Sequence, residues 1–105
     1  MGGPGMMDMM KQARDLQKKM SKIQKKVAKM EITASAGGGM VTAVVSGDLV
    51  LKSVTIEPQV VESGDVKMLE DLVTSAVNAG FKKAQDTMAE QMKEATGGMK
   101  LPGMF

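Results

Sequence analysis

A chain of 105 residues, 43% of them hydrophobic, suits one domain with a modest core, and a net charge of +2 says little by itself about partners. Cysteine and histidine are both absent, which removes disulfides, the common zinc ligands and the Ser–His and Cys–His nucleophile systems. No apolar run approaches the roughly 20 residues that cross a bilayer, and the opening MGGPGMMDMM lacks the basic start and apolar core of a secretory signal. A cytoplasmic protein is expected. The carboxylates Glu70 and Asp71 are adjacent on a helical pattern and point in different directions, a poor acid–base pair. No enzyme activity, metal, cofactor or small-molecule substrate is expected.

The charge is unevenly spread. Between Met6 and Met30 stand eight basic residues and two acidic ones, a local net of +6, while the rest of the chain carries six basic and ten acidic residues. In the same segment Met9, Ala13, Leu16, Met20, Ile23, Val27 and Met30 recur at alternating intervals of four and three. That heptad seam predicts a helix from about residue 6 to 30. Lys11, Arg14, Lys18, Lys22, Lys25 and Lys29 keep the same helical step and form a straight stripe opposite the seam, with Lys19 and Lys26 flanking it. The helix is expected to divide into a buried side and a cationic side.

The period then changes. Ile32, Ala34 and Ala36 alternate with Thr33 and Ser35, and Val41, Ala43 and Val45 alternate with Met40, Thr42 and Val44, the pattern of two strands. Gly37-Gly38-Gly39 lacks the Gly-Lys-Ser/Thr ending of a phosphate loop and precedes no helix, so a tight strand connection is expected. Gly47-Asp48 predicts a hairpin turn, and Leu49 to Glu57 a third strand ended by Pro58. Leu49 and Leu51 are out of phase with Val54 and Ile56, which calls for a bulge near Lys52-Ser53.

Helical period returns from Glu62. Ser63 or Asp65 can cap a long second helix, and Gly97-Gly98 can end it. Val66, Leu69, Val73, Ala76, Gly80, Ala84 and Met88 mark its buried side. The small residues Ala76, Gly80 and Ala84 would admit a close backbone, most simply that of the first helix. The reading is an α+β domain, α-β-β-β-α, over residues 6–96, with flexible tails at 1–5 and 97–105. Helices of 25 and 30 residues are about 37 and 45 Å long, too long for three short strands to cover, so they should project as an arm. A small antiparallel sheet with two open edges favours a homodimer joined through the sheets.

With this order in place, the segments GGGMVTAVVSGDLVLKSVTIEP, LEDLVTSAVNAGFKKAQ and TGGMKLPGMF, taken together, resemble the YbaB/EbfC family of bacterial nucleoid-associated proteins. Ala79 and Gly80 follow AVN where that family often has an acidic residue. The resemblance implies a tweezer-like homodimer and double-stranded DNA binding in the nucleoid, with little or family-variable sequence preference.

The stripe points the same way. A solvated face needs no single sign, and lysines spaced three and four apart repel one another, a cost that an anionic partner relieves. Phe81 and Phe105 are the only aromatic residues, too few to stack the bases of single strands or RNA. Lysine outnumbers arginine on the stripe, which favours phosphate contacts over base reading. The expected DNA contacts are Lys11, Arg14, Lys18, Lys19, Lys22, Lys25, Lys26 and Lys29, with Lys82 and Lys83 on the second helix as additions. The alternative is a prefoldin-like holdase chaperone, in which Met6, Met7, Met9 and Met10 meet Met99, Met104 and Phe105 at the arm's tip. A membrane-surface helix is disfavoured, because the seam offers mostly Met, Ala and Val.

Overall fold

The structure, a computed structural model, describes residues 5–95. In chain order these form α1 (Met6–Ala28), β1 (Glu31–Ala36), β2 (Val41–Ser46), β3 (Leu51–Ile56), α2 (Pro58–Glu62) and α3 (Val66–Ala95). The expected α-β-β-β-α order is present. The five-residue α2 is an addition: Pro58 ends the third strand and also opens this helix, where its fixed φ and missing N–H cost nothing. One turn is too short to leave a period in the sequence. Asp65 caps α3 by accepting the Met68 N–H at 3.0 Å, and the Ser63 hydroxyl instead closes α2 by donating to the Val60 carbonyl. Residues 1–4 and 97–105 of the expected tails, and with them the Gly97-Gly98 stop, lie outside the described residues.

The three strands form one antiparallel sheet in the order β1-β2-β3. Ile32, Ala34 and Ala36 pair with Val45, Ala43 and Val41, so the six share one face, and Ile32, Val41, Ala43 and Val45 are buried. Between β1 and β2 the three glycines Gly37, Gly38 and Gly39 all have positive φ, the left-handed region that other residues enter at a cost. Along β3, Ser53 pairs with Val44 and Leu51 with Val45, leaving Lys52 as the extra residue of the expected bulge. The bulge restores phase: Leu51, Val54 and Ile56 fall on the same face. The third strand starts later than its sequence suggests. Leu49 belongs to the turn, at φ 65°, with its N–H on the Ser46 carbonyl, while the Ser46 N–H bonds the Val50 carbonyl.

α3 crosses the β1 and β2 side of this face. Ala76 packs with Val41 and Ala43, and Ala84 with Ile32 and Val45. A Cβ placed on Gly80 would lie 3.2 Å from Val45 and 3.9 Å from Ala34. The small stripe therefore admits the sheet and not the first helix, which corrects the expectation above. The reason is geometric: the sheet lies under the middle of α3, where Ala76, Gly80 and Ala84 stand, and α1 meets α3 only farther along. Beyond the sheet, α3 continues alongside α1.

α1 joins the sheet at the second hairpin. A Cβ on Gly47 would sit 1.8 Å from the Val27 carbonyl oxygen and 2.7 Å from its side chain. The Gly47 N–H also donates to the Met30 carbonyl at 3.1 Å. From this joint the helix projects outward. The radius of gyration is 20.2 Å and the extents 76 × 22 × 16 Å, against about 13 Å for a compact domain of this length. Replacing Gly47 with alanine drives a methyl group into α1 backbone, which cannot yield as a side-chain tip can. Urea melts of Gly47→Ala are expected to show a loss of about 3 kcal/mol or more; a loss below about 0.5 kcal/mol would mean that the joint is not tightly packed.

Candidate nucleic-acid interface

The burial of α1 follows its two periods. Val27 is fully buried, and Leu16, Met20 and Ile23 are half-buried. All eight cations of the segment, Lys11, Arg14, Lys18, Lys19, Lys22, Lys25, Lys26 and Lys29, are exposed. At 100° per residue, six of them line up opposite the seam over about 27 Å, just short of one turn of duplex at about 34 Å. Among the described residues, no ion pair or side-chain hydrogen bond engages any of the eight. The seam itself is less covered than its period suggests: Met9 is 67% exposed and Ala13 is exposed too, since nothing among the described residues reaches them.

Three lysines of α3 are engaged. Lys67 pairs with Asp71 and Lys82 with Asp86, each one helical turn apart. Lys83 donates to the Thr33 carbonyl at 3.0 Å. β1 is an edge strand, so this bond caps a carbonyl of an open edge. Lys82 and Lys83 are thus exposed but already engaged, and neither stands on the α1 stripe. The long-range hydrogen bond of Lys83 left no trace in the sequence, because it depends on how α3 lies across β1.

Acidic residues stand at both ends of the molecule, with Asp8 and Asp15 on α1 and Glu90 and Glu94 on the part of α3 beyond the sheet. Leu72 lies against Gly37, Gly80 over Val45, and Met88 near Gly47, so α3 runs from one end of the sheet to the other before joining α1. Glu57, Glu62, Asp65, Glu70 and Asp71 gather around α2 and the start of α3, at the end away from the arm. The cations of the Met6–Met30 segment outnumber its two carboxylates by six, whereas Lys67 is the one cation among the five acids at the other end. Among the described residues, no group of three or more potential ligands could hold a metal ion, and no helix is long and apolar enough to cross a membrane.

Residues 1–99 match the model of the YbaB/EbfC DNA-binding family. The chain belongs to that family. It is 52% identical over 105 residues to a nucleoid-associated protein of Clostridium botulinum strain Hall, covering all of this chain and 93% of that one. A nucleoid-associated protein of Clostridium kluyveri is 46% identical over 104 residues, covering 99% and 91%. In structure the chain is similar to an uncharacterized protein from Helicobacter pylori, with a TM-score of 0.73 at 22% identity over 89% of this chain and 98% of that one. At that identity the likeness concerns the fold, which is the same.

Within this YbaB/EbfC chain the meeting of Met6, Met7, Met9 and Met10 with Met99, Met104 and Phe105 falls outside the described residues for its second half. The first four are 54–83% exposed. The division of α1 into faces can be tested on stability alone. Ile23→Asp sets a charge against α3 and is expected to cost several kcal/mol. Lys22→Ala, one residue away on the exposed side, is expected to change stability by less than about 0.5 kcal/mol. Equal losses in urea melts would mean that the faces are wrongly assigned.

Proposed function

We propose that this chain is a nucleoid-associated DNA-binding protein that grips double-stranded DNA through the α1 stripe, contacting phosphates and reading sequence weakly. The observation that carries the reading is the set of eight exposed cations on α1 and its C-cap that have no partner among the described residues. Aligned like charges that nothing in the fold neutralises are costly unless a partner supplies the opposite charge. Phosphates supply it, and lysine meets them as a point charge. Such binding suits a role in organising the nucleoid, with effects on gene expression, in the cytoplasm of a bacterium. The chain acts as a binding protein and not as an enzyme. Lys82 and Lys83 would contribute less than the stripe, since each must leave a partner first.

The working unit in this proposal is a homodimer. The largest fully buried side chains are three valines, Val27, Val41 and Val45, a small core for a molecule of this extent. Apolar side chains remain open around β3, with Leu49, Val50 and Leu51 each 42–46% exposed. Leu51 shares its face with buried Val45, but α3 lies over β1 and β2 and leaves that margin uncovered. A second copy joined there would cover it and present two basic arms.

Duplex titrations across a salt series test the reading. Log affinity is expected to fall with log salt at about 0.9 per phosphate contact, giving a slope of about −3 to −7 for one to two engaged arms. Replacing Lys18, Lys22 and Lys25 with glutamine should leave a species of about twice 11.1 kDa in sedimentation equilibrium. It should weaken binding to all duplexes alike and flatten the slope. Unchanged affinity and slope would reduce the stripe to a solvated surface. Suppression of aggregation without DNA binding would favour the holdase instead.

A further inference from the structure

Met7 does not belong to the seam. It lies two residues, about 200°, from Met9. With Lys11, Arg14 and Lys18 it instead follows the stripe's own step of four, three and four residues. At 100° per residue its direction falls within about 20° of that of Lys18. It is 83% exposed, the highest value among the exposed large hydrophobic side chains. A shallow surface hollow runs along this line, where Met7 and Met10 stand with Lys11, Arg14 and Lys18. Asp8 and Asp15 also border it, from about 60–80° to one side of the stripe. An apolar side chain thus occupies the place where the pattern calls for another cation. Neither packing nor phosphate binding accounts for it: nothing among the described residues covers it, and a thioether does not attract phosphate.

A duplex seated on the stripe gives this position a use. The major groove, about 12 Å wide, admits a helix of about 10–12 Å. With the cationic line turned to the groove floor, long lysines swing outward to the phosphates of both walls. A methionine on the same line stays over the base edges. The apolar group available there is the 5-methyl of thymine, and methionine is flexible and polarizable enough to cover it. We propose that Met7 is a base-edge contact that takes the thymine methyl group, giving the first turns of α1 a mild preference for thymine-containing duplex. The inference rests on the stripe binding duplex DNA, as argued above, and adds a specificity-determining residue to it.

The test removes the methyl group and nothing else. Affinities of the full chain are measured at one salt concentration for a non-self-complementary duplex of A·T pairs, and for the same duplex with every thymine replaced by uracil. Losing one methyl contact is equivalent to about a fourfold change. The parent is therefore expected to bind the uracil duplex about fourfold more weakly with one arm engaged, and about sixteenfold with two. Met7→Gln, an exposed change that keeps helix propensity, is expected to bind both duplexes equally and to retain the parent's salt slope. Equal binding of both duplexes by the parent overturns the proposal while leaving phosphate binding intact. A Met7→Gln variant that still prefers thymine as strongly as the parent overturns it as well. Absence of binding to either duplex overturns the phosphate reading and this one together.

Discussion

The contact between Gly47 and the last turn of α1 sets the form of the whole molecule. A backbone-to-backbone approach this close exists only because position 47 has no side chain. It locks the C-terminal end of α1 to the β2–β3 hairpin, with the Gly47 N–H on the Met30 carbonyl as a second tie. α3 crosses the sheet toward the same hairpin and then accompanies α1. The arm is therefore fixed at its root by this joint and held along its side by α3. Small residues repeat the device beneath α3, where Gly80 lets the helix settle onto Val45 and Ala34. A thin core of valines and alanines results. It holds the helices close to the sheet but gives little burial per chain, which is why the uncovered margin at β3 bears on assembly.

Function in this account rests on which cations are spoken for. Lys67, Lys82 and Lys83 serve the fold, two in pairs along α3 and one at the β1 edge. The α1 cations serve nothing within the described fold. Surface pairs of this kind are worth little in stability, so the distinction concerns availability rather than energy. An engaged lysine must first be released, whereas a free one can neutralise a phosphate at once.

Much of this was legible in the chain itself. The heptad seam places α1 to within two residues of its end, and the phase slip between Leu51 and Val54 calls for a bulge near Lys52-Ser53, where Lys52 is the extra residue. Both signals are local and periodic. The small stripe Ala76, Gly80 and Ala84 announced a close approach but not what approaches, because helix and sheet backbones leave the same mark on a partner helix. α2 was hidden in the strand-ending role of Pro58. Leu49 carries the apolar side chain of a strand residue, while its backbone turns through a left-handed conformation. The stripe was plain in sequence. Its lack of internal partners, and the different standing of Lys83, needed coordinates.

The central claim is that the α1 cations, and not the basic residues in general, meet duplex DNA. Lysine acetylation read by mass spectrometry, with and without duplex at low salt, measures this residue by residue. Strong protection of Lys18, Lys22, Lys25 and Lys29, relieved by added salt, is expected, with unchanged labelling of Lys52 and Lys67. Protection spread equally over all lysines, or centred on Lys67 and Lys82 with the α1 stripe still reactive, would contradict it.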